Sequence, residues 1–321
     1  MGAALKIGLL SVAHYSLGHL GIARALAHEF QTGGHDAIVY TDQSELARTT
    51  GFMLGTLPVK SLWEELSSGF VGDIVVLDTI PFRRQELVFP LLSARSGKRQ
   101  RYLCGHTGWL PYYDDALVQR WRDLLSMLSI KTILLYHGIE VCGGDCHIAS
   151  LAFALGVNVV HAGLLLPSLS ERAVRGSRIL VSAGGGAGMK GMLPAVLAVV
   201  EANPELELDI TVGPYAGDVG DIVHPRLRII PFTSDMARLL STYAGSITRV
   251  GYGACVDHIW AGTPALLLPL PNGEQRANAA WVQPWLSGSL SFDQFGKAQI
   301  APAQPNWPKK FDPSAIEACR W

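Results

Sequence analysis

Two histidines stand in Ser11–Leu20, SVAHYSLGHL, where an aliphatic run gives way to a glycine and then to a helical pattern. An imidazole titrates near neutral pH, so His14 and His19 are the side chains best suited to take a proton from a hydroxyl. Asp78, closing the apolar run from Ile74, is one residue that could orient such a base, and His106 is another. A second chemical group lies far along the chain, in Val181–Lys190, VSAGGGAGMK. Glycines there let the backbone approach a ligand, and N–H groups at a helix start favour phosphate. A third begins at Ile247 and runs through a glycine turn, a helix, a Pro-broken aliphatic strand and Glu274-Gln275. Two such strand ends side by side aim Thr248–Gly253 and Asn272–Gln275 at one crevice, where α/β folds hold nucleotides.

The elements that must position these groups alternate along the whole chain. Short aliphatic strands are expected at 6–12, 37–40, 74–78, 101–104, 132–136 and 157–161, with helices at 20–30, 85–96, 116–128 and 147–155. Pro167–Gly176 mixes Pro, Ser, Glu and Arg without apolar periodicity and reads as a linker. A second series follows, with strands at 179–181, 208–212, 227–230, 245–248 and 265–268 and helices at 190–201, 234–240, 255–261 and 275–286. Each series opens with strand, glycine turn and helix, which implies an α/β fold of two Rossmann-like, doubly wound domains facing across a cleft, at 1–167 and 177–321. A last helix is expected behind Asp312 as N-cap, before Pro313.

Composition narrows the class. A net charge of -1 without a dense Lys/Arg run argues against a nucleic-acid polymer as partner. Five scattered cysteines suit reduced thiols and a cytoplasmic location better than a disulfide framework. Cys142, Cys146 and His147 lack a second ligand pair at zinc spacing, so they read as a glycine-rich turn into a helix and no metal is expected. Ala149–Pro167 is nearly uncharged, but Gly156, Asn158 and His161 divide it into helix and strand; it is not a membrane span. A peripheral membrane contact is left open.

The second half resembles the donor domain of GT-B glycosyltransferases, in particular the family 28 group containing the N-acetylglucosaminyl transferase of peptidoglycan assembly. The resemblance is carried by SAGGGAG, Ile230-Pro231-Phe232, Ile247-Thr248-Arg249-Val250-Gly251, Gly262-Thr263-Pro264-Ala265 and Glu274-Gln275 with Asn278, in that order. It extends to the first half only through Gly18-His19-Leu20 and the strand order. It implies an inverting, metal-independent transfer of sugar from a nucleoside diphosphate, of UDP or dTDP type, to an acceptor hydroxyl. Gly184, Gly185, Gly186, Ala187 and Gly188 would cradle the diphosphate, with Thr248, Arg249 and the Gly251 turn beside it. Pro231 and Phe232 would line the base, and Asp257, where the family has Glu, would take the ribose hydroxyls. Glu274 and Gln275 would hold the sugar. His19 takes the family's base position, with His14 and Asp78 as further catalytic candidates. Asp78, His106, His137 and the aromatic loop of Trp109, Tyr112 and Tyr113 are candidate contacts for a small or glycosidic acceptor. The same residues suit two alternatives: a nucleotide-sugar hydrolase, with water in place of the acceptor, and a non-catalytic nucleotide-sugar-binding subunit.

Overall fold

Aliphatic runs of this kind are buried on both faces, and helices cover the sheet they build. The computed structural model describes residues 4–12, 17–49, 58–62, 64, 72–78, 85–95, 100–106, 114–136, 147–165, 176–185, 188–214, 224–286 and 310–319. His14, Gly186, Ala187, the aromatic loop, His137 and the Cys142 to Cys146 turn lie outside them.

The first sheet has seven parallel strands: β1 (Lys6–Ser11), β2 (Asp36–Thr41), β3 (Val59–Ser61), β4 (Ile74–Leu77), β5 (Arg101–His106), β6 (Thr132–Leu135) and β7 (Asn158–His161). Their spatial order is β3-β2-β1-β4-β5-β6-β7, so direction of travel reverses between β1 and β4. The described helices here are α1 (Leu17–Thr32), α2 (Ser44–Thr49), α3 (Gln85–Arg95), α4 (Asp115–Met127) and α5 (His147–Leu155). The short, half-exposed β3 and the single-turn α2 were not expected from sequence, because neither carries an apolar run.

The second sheet has five parallel strands in the order β10-β9-β8-β11-β12, and its reversal falls between β8 and β11. They are β8 (Ile179–Ser182), β9 (Leu208–Thr211), β10 (Leu227–Ile230), β11 (Gly245–Thr248) and β12 (Ala265–Leu267). The helices are α6 (Leu193–Ala202), α7 (Met236–Ser241), α8 (Tyr252–Ala261) and α9 (Gly273–Val282). Asp209, inside β9, is fully buried and held by Arg178, Arg228 and the Tyr243 hydroxyl, so its charge supports the sheet.

One hydrophobic core joins the two halves. Leu17, Leu20 and Tyr136 from the first sheet's layer pack in one cluster with Val250, Tyr252, Cys255 and Val256 from the second. The tail, expected to stay with the second domain, returns to the first. Phe311 N–H donates to Leu164 carbonyl and Asp312 N–H to Ala162 carbonyl, while the Phe311 ring meets Phe30 edge-on. Asp312 caps Ser314 as expected, though the helix it opens, Pro313–Ala318, is a 3-10 turn.

Candidate functional site

A reversal in strand order leaves a crevice at the carboxyl ends of the two strands that flank it. In the first sheet those strands are β1 and β4, and the crevice contains His19 and Asp78. His19 sits in the first turn of α1, directly after the β1 loop, and Asp78 follows the last residue of β4. His19 Nδ1 and Asp78 Oδ2 are 3.0 Å apart. Asp78 is buried, whereas the imidazole keeps 40% of its surface exposed. Burial pulls the His19 pKa down, but the hydrogen bond and charge of Asp78, then Glu274 and Asp42, outweigh it and leave the imidazole a stronger base than usual.

Glu274 belongs to the second half of the chain, so its charge acts on His19 across the cleft. It opens α9 behind the N-cap Asn272, whose side chain accepts from Gln275 N–H at 2.9 Å. Burial raises the Glu274 pKa and His19 pulls it back.

The second crevice, between β8 and β11, holds the glycine turn and the Arg249–Gly251 loop. Gly184 has φ +69°, a conformation in which a Cβ is strained. Gly213, at the end of the neighbouring strand, is glycine for a different reason: a Cβ there would meet the Gly184 carbonyl oxygen at 2.5 Å. The turn continues through Gly188 to Met192, and α6 starts at Leu193, three residues later than the sequence pattern predicts. The Arg249 side chain runs along this turn, within 3.6 Å of the Gly188 Cβ position and 3.3 Å of that of Gly191. Its Nη1 donates to the Leu268 carbonyl at 2.9 Å, while Nε is buried without a partner among the described residues. A guanidinium with an unmet donor beside a glycine turn suits an anionic ligand. Among the described residues no side chain caps α8, which begins right after Gly251.

Other expected site residues have different tasks here. The Thr248 hydroxyl is buried and donates to the Arg249 carbonyl, so it shapes the loop instead of reaching into the crevice. Gln275 Oε1 accepts from both Val250 N–H, at 3.2 Å, and Leu270 N–H, at 2.9 Å. Asn278, buried, donates to the Val250 carbonyl at 3.0 Å. Gln275 and Asn278 thus lock the loop between β11 and α8. His106 is fully buried, as the last residue of β5, and burial depresses its pKa to about 3; it is a neutral core histidine and not an acceptor contact.

Pro231 is exposed and Phe232 half-buried at the end of β10, the latter packed on the shared core. Asp257, on α8, has its pKa pushed up to about 7 by burial; Arg24 pulls it down and Asp235 raises it further. Arg24 is on α1, so the first domain adds a cation that sequence reading missed. Only the packing of α1 against α8 brings it there. No group of three metal-ligating side chains occurs among the described residues.

Residues 184–290 match the model of the glycosyltransferase family 28 C-terminal domain. The second half of the chain is similar to the family 28 C-terminal domain. The curated relatives agree: the UDP-N-acetylglucosamine–N-acetylmuramyl-(pentapeptide) pyrophosphoryl-undecaprenol N-acetylglucosamine transferase of Synechococcus sp. (strain JA-3-3Ab) is 35% identical over 97 residues, 30% of this chain and 26% of the relative. The enzyme of the same name from Synechococcus sp. (strain CC9902) is 37% identical over 107 residues, 32% of this chain and 30% of the relative. The chain therefore matches under a third of these relatives' length.

The fold match extends further than the sequence match. The glycotransferase of kitacinnamycin superposes with a TM-score of 0.58 at 16% identity, covering 99% of this chain and 90% of that one. Arabidopsis thaliana UGT89C1, complexed with UDP-L-rhamnose, gives 0.59 at 12% identity, covering 90% and 85%. Two Rossmann-like halves in this arrangement are the GT-B fold, and the family 28 relationship lies in the second half. No described helix is long and apolar enough to cross a membrane.

Proposed function

We propose that this chain is an inverting glycosyltransferase that needs no metal and moves a sugar from a nucleoside-diphosphate sugar, of UDP or dTDP type, to an acceptor hydroxyl. One observation carries the reading: a histidine–carboxylate pair at the reversal point of one sheet faces, across the cleft, Glu274 in the first turn of α9. The first domain presents the acceptor and the second holds the donor. Two similar proteins favour a UDP-sugar donor, since one relative is named for UDP-N-acetylglucosamine and one fold neighbour is complexed with UDP-L-rhamnose.

The chemistry follows from the groups in place. Asp78 fixes His19 through Nδ1, so Nε2 is the nitrogen that takes the proton of the acceptor hydroxyl. The oxygen attacks the anomeric carbon as the bond to the diphosphate breaks. Charge developing on the departing phosphate is met by the glycine-turn N–H groups and by Arg249. Asp257 takes the ribose hydroxyls, and Glu274 takes hydroxyls of the sugar. Gln275 has committed its carbonyl oxygen to two backbone amides, which leaves its amide nitrogen as the group for the sugar.

The test is His19→Ala assayed with UDP-sugars and a panel of hydroxyl acceptors. Turnover should fall about 10²- to 10⁴-fold with donor affinity retained. Unchanged turnover sinks the base assignment, and release of free sugar by the parent chain without acceptor redirects the reading to a hydrolase.

A further inference from the structure

The carboxylate assigned to the ribose lies against the first domain, and the cation that domain brings to it is Arg24. Leu17, Leu20 and Arg24 fall at i, i+3 and i+7 of α1, which makes one stripe of that helix. Leu17 stands against the Gly185 backbone, and Leu20 packs in one core with Tyr252, Cys255 and Val256 of α8. The stripe therefore lies on α8, and Arg24 continues it one turn beyond Leu20. Its charge reaches Asp257, which follows Val256, and then Asp235. Asp235 caps α7, accepting from Arg238 N–H at 3.1 Å, three residues after Phe232. One first-domain cation thus stands by both the ribose carboxylate and the loop assigned to the base.

Among the described residues no N–H or hydroxyl donates to the Asp257 carboxylate, so Arg24 attracts it across a gap without bonding to it. Arg24 is half-buried; burial lowers its pKa, and the charges of Asp257 and Asp235 oppose that. A guanidinium presents five N–H donors in a planar fork, whereas an ionised carboxylate only accepts. A hydroxyl joins the two, because its proton goes to the carboxylate while its oxygen accepts an N–H. A vicinal diol supplies two such groups.

We propose that Arg24 is a nucleotide-binding residue supplied by the first domain, its fork donating to the two ribose hydroxyl oxygens whose protons go to Asp257. This rests on the reading of the second domain as a nucleotide-sugar site and narrows it. The donor is a ribonucleotide of UDP type, since a dTDP sugar lacks the 2′ hydroxyl. No bond forms or breaks at Arg24. The nucleotide site is complete only while α1 packs on α8, so the acceptor domain takes part in choosing the donor.

Calorimetry with UDP and 2′-deoxy-UDP tests it, at pH 8, above the Asp257 midpoint of about 7. The parent should favour UDP by about tenfold or more. Arg24→Met keeps most of the stem and removes the fork; UDP should lose about tenfold and 2′-deoxy-UDP less, so the preference narrows. Arg24→Lys keeps the cation without the fork and should show most of the same loss. Thermal midpoints are taken for both variants, and the lysine variant carries the comparison if the methionine variant does not fold. A preference for UDP unchanged from the parent's in a folded variant, or UDP affinity equal to the parent's in Arg24→Lys, overturns the proposal. If the parent binds neither nucleotide, the donor-site reading fails and the role of Arg24 falls with it. If the parent binds both and Arg24→Met weakens them equally, the role of Arg24 falls alone.

Discussion

Leu17 occupies the space that a side chain at position 185 would need: a Cβ built on Gly185 lies 2.7 Å from the Leu17 Cβ and 2.8 Å from its Cγ. The glycine turn of the second sheet is therefore in contact with the first turn of the helix that carries His19, two residues from Leu17. Gly185→Ala should push the two apart. Overpacking of this kind costs roughly 1–3 kcal/mol, so the thermal midpoint should drop and turnover should fall with it. Leu17→Gly, which removes both the Cβ and the Cγ that the new side chain would meet, should restore turnover in the double variant; additive losses would show that the contact is not the cause.

The pH dependence of turnover should report the histidine–carboxylate pair. His19 is held above its ordinary pKa, so the acid limb of the kcat/KM profile should lie above the midpoint of a free histidine. Asp78→Asn removes the two largest contributions that raise it and leaves burial, which lowers it. The limb should then move to lower pH as the rate falls. An acid limb that stays in place through that substitution would assign the titration to another group.

Much of this was legible in the chain because strands buried on both faces are written as short aliphatic runs, and β4, β10 and β11 fall where those runs do. Asp78 and the glycine turn were readable because each closes such a run, and His19 because it follows one through a glycine into a helix. What sequence could not supply is pairing across distance. The contact of Asp78 with His19 depends on β1 and β4 being neighbours, and Arg24 meets the charge of Asp257 only when α1 packs on α8. The second task of Gln275, holding the loop, was hidden for the same reason, since its partners Val250 and Leu270 lie on two different loops. The return of residues 310–319 to the first sheet is likewise a tertiary choice, with one ion pair, Lys310 to Glu29, among its contacts.

Donor binding should release a proton near neutral pH. Asp257, at about 7, is partly protonated there in the free protein, whereas hydroxyl groups donating to it favour the anion. Affinity should rise with pH up to about 7 and level off above, and calorimetry of UDP binding in two buffers of different ionisation enthalpy should give the proton count. Asp257→Asn should abolish the release and weaken binding about tenfold. Stability gives an independent check of sign. A folded-state pKa above the unfolded one means that ionisation opposes folding, a cost absent below the ordinary carboxylate pKa and complete above about 7. Asp257→Asn should therefore stabilise the chain more at pH 8 than at pH 5.

Gln275 allows its structural and binding roles to be separated with two substitutions. Gln275→Ala removes the acceptor for Val250 N–H and Leu270 N–H together, and leaving a buried donor unmet costs roughly 1–3 kcal/mol. Its thermal midpoint should drop, and donor affinity should drop with it because the loop that follows Arg249 is released. Gln275→Glu keeps an acceptor oxygen for both amides, in the first turn of α9 where the helix dipole favours negative charge. Stability should stay within about 1 kcal/mol of the parent, but the amide nitrogen assigned to the sugar is gone. If affinity for a UDP-sugar falls in this variant while affinity for UDP does not, the nitrogen faces the sugar; equal affinity for both ligands would restrict Gln275 to holding the loop.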